Sequence, residues 1–313
     1  MNENISLYED GVNRIINAMN ENTYLYEDAV DKLNLMLLAD DSKNPLKPEL
    51  QAKHGLSVYI EAKFRSEKIT VLMDTGPSPE VILHNADAMD VDLNKINAIL
   101  LSHGHYDHLG GLIGVLKRIS DPVTVLTHPK TFDPKFAYRR HIKYIGPTFS
   151  ISEIKAAGGV LLLAKNPVKI GEGIISSGEV KRSTTFEQVE ELWKVNDELF
   201  MQDSMLDDQS LIIKIRGRGL VIIAGCAHSG IINTIKQAQR ITGISRVYAV
   251  LGGFHLKNAD AKRIVATTKE LLKINPSIIR PCHCTGSKAI RRLTDAFKDR
   301  CKPLRVGEIL ELN

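Results

Sequence analysis

Four ligand-type side chains occupy six positions at the end of an apolar run. In "INAILLSHGHYDHLGGL" (96–112), His103, His105, Asp107 and His108 follow a segment that reads as a buried strand. This constrains the fold more than any other stretch, because a sheet must hold the loop rigidly and bring partners to it. In the extended conformation expected after a strand, positions two apart face the same way, so His103 and His105 can converge on one ion. Asp107 and His108 lie past the turn, placed for a second ion about 3.5–4 Å from the first, as in two-metal sites. Imidazoles mixed with a carboxylate are not the closed Cys/His set of a structural zinc, so the cluster reads as an open, catalytic centre.

Further strands end in the same way. From residue 33 the chain runs through "LNLMLLAD", "LSVYIEA" (56–62) and "ITVLMDTG" (69–76), the last two forming a hairpin across "KFRSEK", then a helix over 79–90. Past the histidine cluster, Gly110 and Gly111 open a helix that leads to the strand "PVTVLTH". In the second half, Gly217 and Gly219 mark a hairpin turn inside "SLIIKIRGRGLVIIAGCAHSG"; "RVYAVLGG" runs to His255 and "SIIRPCHC" to His283, with helices over 258–273 and 286–300. Ligand-type residues at so many strand ends gather at one edge only if two sheets pack face to face with helices outside, an α+β sandwich.

Residues 1–32 read as a helical N-terminal extension with an internal echo, "LYEDGV" and "LYEDAV"; a surface segment and an oligomer contact are its two readings, and 33–313 is the catalytic domain. Residues 129–158 read as irregular, with the basic and aromatic "KFAYRRHIKY" either a solvated face or a lid over an anionic substrate. A net charge of +4 over 313 residues leaves nucleic-acid binding to a local patch, and no apolar stretch approaches the ~18 residues of a membrane span. The expected setting is therefore cytoplasmic, without nucleic acid or membrane. There the four cysteines are free thiols or metal ligands rather than disulfides.

The histidine motif resembles the signature of the metallo-β-lactamase superfamily, whose αββα sandwich matches the layers inferred above. "VLMDTG" is similar to its early strand, whose aspartate, here Asp74, orients a zinc-bound histidine from behind. "HGLS" (54–57), "DDQSL" (207–211), "GCAHSG" (225–230), "LGGFHL" (251–256) and "PCHCTG" (281–286) are similar to one subgroup, named after a dihydropterin and ribofuranosyl-aminobenzene phosphate synthase of methanopterin biosynthesis. Where the superfamily carries a bridging aspartate this chain has Cys226, with His228 two residues on. Cys226 can replace the carboxylate and His228 can supply a first-metal histidine; which of the two completes the site stays open at this point. His283 matches the last histidine, and His255 reads as a substrate or proton-transfer group at the rim, or as a turn residue capping a helix.

The resemblance implies two zinc ions, since iron-type members carry a glutamate where His105 stands; manganese and iron fit an imidazole-rich set less well. It implies a hydrolase in which metal-activated hydroxide attacks an ester, lactone or phosphoester while Asp107 handles the proton. The subgroup implies a transferase instead, joining a dihydropterin diphosphate to an aminobenzene ribofuranosyl phosphate, with the ions on the diphosphate. Lys181 and Arg182, with the basic stretch 135–143, are read as holding an anionic or phosphorylated small-molecule substrate, against a solvated surface. A nucleic-acid processing member of the superfamily and a non-catalytic, metal-stabilised scaffold are the competing readings.

Overall fold

The computed structural model describes residues 28–138 and 140–313. Its strands, in chain order, are β1 (Lys32–Ala39), β2 (Ser57–Phe64), β3 (Glu67–Met73), β4 (Ala98–Leu100), β5 (Val123–Thr127), β6 (Lys135–Tyr138), β7 (Ile142–Tyr144), β8 (Gly159–Leu163) and β9 (Lys169–Gly171). They continue with β10 (Ile174–Ser176), β11 (Leu192–Asn196), β12 (Leu199–Gln202), β13 (Ser210–Ile215), β14 (Gly219–Ala224), β15 (Val247–Gly253), β16 (Ile278–Cys282) and β17 (Ile309–Leu312). The described α-helices are α1 (Pro79–Ala88), α2 (Tyr106–Leu109), α3 (Leu112–Arg118), α4 (Ile151–Ala156), α5 (Ile231–Thr242), α6 (Ala261–Ile274) and α7 (Ser287–Phe297).

Two sheets carry the fold: seven strands in the order β17-β1-β2-β3-β4-β5-β8, and six in the order β16-β15-β14-β13-β10-β9. Side chains alternate across a strand, so a strand buried on both faces must be apolar throughout. β13 shows this directly. Leu211, Ile213 and Ile215 join Leu35, Val58, Ile60, Val71 and Met73 in the core between the sheets. Ile212, between them, faces outward to a core with Ile235, Leu271 and Leu293 of α5, α6 and α7. On the far side Leu72 and Ile99 pack against Ile82, Ala86, Leu112 and Val115 of α1 and α3. The layers are therefore helix, sheet, sheet, helix, as the resemblance implies.

Parallel pairing positions the chemistry. β3, β4, β5 and β8 pair in parallel, as do β14, β15 and β16, so their C-terminal ends open at a common edge. α6 shows how the intervening helices are bounded: the Asp260 side chain accepts the N–H of Arg263, and Asn275 in the left-handed conformation closes its last turn.

Two local expectations are corrected. Part of 129–158 is not irregular: β6 and β7 are strands that join β11 and β12 in a small sheet, order β12-β11-β6-β7. Phe136, Tyr144, Trp193 and Phe200 pack across it, with Trp193 stacked on Phe200 at 5.1 Å. Of the helical extension expected over 1–32, residues 1–27 lie outside the described residues, whereas Val30 is bridged to Ile215 and β1 begins at Lys32. Ala29 and Val30 are buried, which a solvated helix at that point would not allow.

Candidate metal centre

The strand ends converge as the sequence pattern requires. Asp74 follows β3, His103 and His105 follow β4, Cys226 and His228 follow β14, His255 follows β15, and His283 follows β16. The turns that aim them are tight: Asp74, Ala227, His255 and His283 all have positive φ, 47–59°, in the left-handed region that non-glycine residues rarely occupy. Gly225 is needed where β14 ends, because a Cβ there would meet Ser102 Oγ at 2.1 Å.

Asp74, fully buried, sets the ring tautomers. Its Oδ2 accepts His108 Nδ1–H at 2.7 Å and the Ser102 hydroxyl at 2.7 Å, while Oδ1 accepts the Ser102 backbone N–H. With its proton given to Asp74, Ser102 Oγ accepts from His103 Nδ1 at 2.9 Å. Both histidines are thus left with bare Nε2 atoms, the form that ligates a metal. The position of Asp74 behind His108 makes one expectation direct: Asp74→Asn should weaken metal binding about 10–100-fold. Chelator competition, with the melting temperature followed alongside, measures that loss.

The bare nitrogens face two groups. His103 Nε2 lies 3.0 Å from His105 Nδ1, and His103, Cys226 and His228 place one donor atom each within 4.8 Å of one another. His108, Cys226 and His283 form a second such group, with His108 Nε2 3.1 Å from Cys226 Sγ and 3.2 Å from His283 Nε2. Asp107 Oδ2 adjoins the second group, 3.4 Å from His283 Nε2 and 3.7 Å from His108 Nε2. Cys226 Sγ belongs to both. Nitrogens bound at ~2.0 Å to one tetrahedral ion sit roughly 3.3 Å apart, close to these separations.

Burial and charge fit the donor set to cations. Burial drives the imidazoles of His103 and His228 well below their usual range and His105 down to about 3, so all three are neutral. His105 Nε2 and both nitrogens of His228 are buried with no hydrogen-bond partner among the described residues. Such unpartnered ring nitrogens are costly unless something binds them. Burial would raise Asp107, but its interactions with the imidazoles of His108 and His283 outweigh it and hold the carboxyl well below its ordinary range. Burial also keeps Cys226 a thiol in the absence of a compensating positive charge. A bound cation would release that proton and take the thiolate.

The site opens on a cavity of about 660 Å³ lined by His105, Asp107, His228, His255 and His283 and, from β6, β7 and their flanks, by Ala137, Arg140, His141, Lys143 and Ile145. His255 is not set apart from the donors as a rim group would be: its ring centroid lies 4.0 Å from that of His228, it forms with Cys226 and Cys284 a further group of donor atoms within 4.8 Å of one another, and its Nε2 is 3.3 Å from Glu190 Oε2. Burial opposes its charge, but Cys284 and Glu190 push it up to about 9. Lys181 and Arg182 are not brought here. Arg182 donates to the carbonyls of Ser204 and Met205 and to Ser229 Oγ, a clamp on the 204–205 turn, and Lys181 lies beside it on the surface.

Asp41, His54, Cys284, Glu190 and Asp207 join the site without a role read from the sequence, and Lys135, read as part of a basic stretch holding an anionic substrate, is instead buried against Asp203 and Asp207. Asp41 accepts from His283 Nδ1 at 2.7 Å and His54 Nδ1 at 2.9 Å, and His54 Nε2 lies 3.3 Å from Asp107 Oδ2. "HGLS" and "DDQSL" marked two of these loops but gave their residues no role.

Residues 52–224 match the family model described as the metallo-beta-lactamase superfamily. The 7,8-dihydropterin-6-methyl-4-(beta-D-ribofuranosyl)-aminobenzene-5'-phosphate synthase of Methanocaldococcus jannaschii is 34% identical over 287 residues, covering 90% of this chain and 97% of that protein. An uncharacterised protein of the same organism is 34% identical over 78% of this chain and 88% of its own length. Among solved structures, Tm1679, a metal-dependent hydrolase of the beta-lactamase superfamily, superposes with a TM-score of 0.74 at 26% identity, covering 90% of this chain and 99% of that one.

Proposed function

This chain belongs to the metallo-beta-lactamase superfamily, and on that premise we propose a metal-dependent synthase joining a dihydropterin, carried as its diphosphate ester, to a ribofuranosyl-aminobenzene 5'-phosphate. The observation that supports it most is the match along 90% of the chain to the Methanocaldococcus jannaschii synthase, which spans 97% of that relative. His103, His105 and His228 would hold one ion and Asp107, His108 and His283 the other, with Cys226 between them; imidazole and thiolate favour zinc. Bound there, zinc supplies Lewis acidity toward phosphoryl oxygens and charge neutralisation for the leaving group.

The chain's own side chains do the rest. His255, kept cationic by Cys284 and Glu190, lines the cavity beside His228 and donates a hydrogen bond to the departing diphosphate. In the transfer the bond from the pterin methylene to the diphosphate oxygen breaks, that carbon bonds to the acceptor, and the acceptor loses one proton. The cavity walls keep water from the methylene carbon while the acceptor is seated, which is what separates transfer from hydrolysis.

A hydrolytic reading is favoured by one observation, the similarity to the hydrolase Tm1679. The two are separated by incubating zinc-loaded protein with dihydropterin diphosphate, with and without the aminobenzene riboside phosphate. Diphosphate released only when the acceptor is present, together with a product of the joined mass, is the expected result. Pterin alcohol and diphosphate formed without acceptor would establish hydrolysis instead.

A further inference from the structure

We propose that Arg140, His141 and Lys143, in and just before β7, form a second anion subsite, separate from the metal donors, which holds a phosphate monoester at the far end of the acceptor; the naming of that acceptor rests on the synthase reading above. Arg140 and His141, just before β7, and Lys143 within it line the cavity, and all three are exposed. Among the described residues none of the three is paired with a carboxylate, whereas other cations on or near the same small sheet are. Lys135 is bound to Asp203 and Asp207, and Lys130 and Lys194 both lie against Asp133.

The carboxylates of the cavity are already engaged. Glu190 faces His255, Asp41 faces His283 and His54, and Asp107 faces three imidazoles. Uncompensated positive charge therefore lines the cavity. A phosphate dianion is the complement of an arginine fork and an ammonium.

β7 is tied to the metal loop. Tyr106, next to Asp107, donates its backbone N–H to Ile145 just past β7 at 2.9 Å, and Lys143 Nζ lies over the Tyr106 ring at 5.8 Å. Ile145 N–H in turn bonds Lys135 at the start of β6. Tyr106, Ile145 and Leu192 line the same cavity as the metal donors, an aromatic and apolar set suited to a flat ring. A ligand with a phosphate at one end and an aromatic ring at the other suits that lining.

The test uses the zinc-loaded full chain and the double variant Arg140→Ala/Lys143→Ala, with inorganic diphosphate at saturation to occupy the metal end. Calorimetry compares the aminobenzene riboside with and without its 5'-phosphate, and phenyl phosphate with phenol. The wild type should prefer each phosphorylated partner about 30-fold, and the variant about threefold or less, with diphosphate affinity unchanged. Ribosides that fail to bind while phenyl phosphate behaves as stated count against the synthase reading and still support the subsite. A phosphate preference equal in wild type and variant overturns it.

Discussion

Replacing Cys226 by alanine should lower bound metal from two equivalents per chain to one or fewer and cut turnover about 10²–10³-fold. The sulfur is the donor common to both ligand groups, 3.1 Å from His108 Nε2 and only 3% exposed, so no solvent donor replaces it without rearrangement. Its removal leaves the two imidazole sets facing each other with no shared anion to offset the repulsion between two dications. Cys226→Asp returns the carboxylate that the resemblance leads one to expect at this place, and should keep more metal than Cys226→Ala. Elemental analysis of purified variants reads both. An alanine variant that retains two equivalents would remove Cys226 from the ligand set.

Lys135→Met should destabilise the protein by about 3–5 kcal/mol, seen as a lower urea midpoint. Lys135 is 1% exposed, with Nζ 2.7 Å from Asp203 Oδ2 and 2.9 Å from Asp207 Oδ1. Without it two carboxylates remain buried and unpaired. The consequence reaches the metal loop, because Asp207 Oδ2 accepts the backbone N–H of Gly104 at 2.8 Å, between His103 and His105. A double variant, Lys135→Met/Asp207→Asn, should lose less than the sum of the two single changes, since it removes one of the stranded charges.

The pH dependence follows from the same triad. Burial would lower Lys135, but Asp207 and Asp203 raise it above its ordinary value, so its contribution is present at neutral pH and lost only as pH climbs through that raised value. Burial would raise Asp203, but Lys135 outweighs it and holds the carboxyl below its ordinary range; that contribution is lost as pH falls through the depressed value. Stability should therefore fall at both extremes in the parent and much less in Lys135→Met. Equal pH profiles would show that the triad carries no such linkage.

Most of the centre was legible because parallel strands advertise it. Each of β3, β4, β14, β15 and β16 is an apolar run that stops at a carboxylate, imidazole or thiol, and parallel pairing brings those stops to one edge. Asp41 and His54 gave no such signal. They reach the same edge through the antiparallel pairing of β1 with β2, which places the loop between them there and cannot be read from either strand alone. The β6–β7 hairpin was hidden for another reason. Its strands are four and three residues long and rich in basic side chains, and its partner β11 begins more than fifty residues later, so neither period nor proximity betrays a sheet. Lys181 and Arg182 looked like phosphate ligands because charge is visible in a sequence while its use is not; the backbone carbonyls that engage Arg182 belong to a turn whose position only the fold determines.

X-ray absorption on zinc-reconstituted protein reads out a pair of cation sites joined by one thiolate. Two zinc equivalents per chain are expected, with nitrogen and oxygen scatterers at ~2.0 Å and a sulfur at ~2.3 Å that vanishes in Cys226→Ala. A single equivalent, or a wild-type spectrum with no sulfur scatterer, would rule out such a pair.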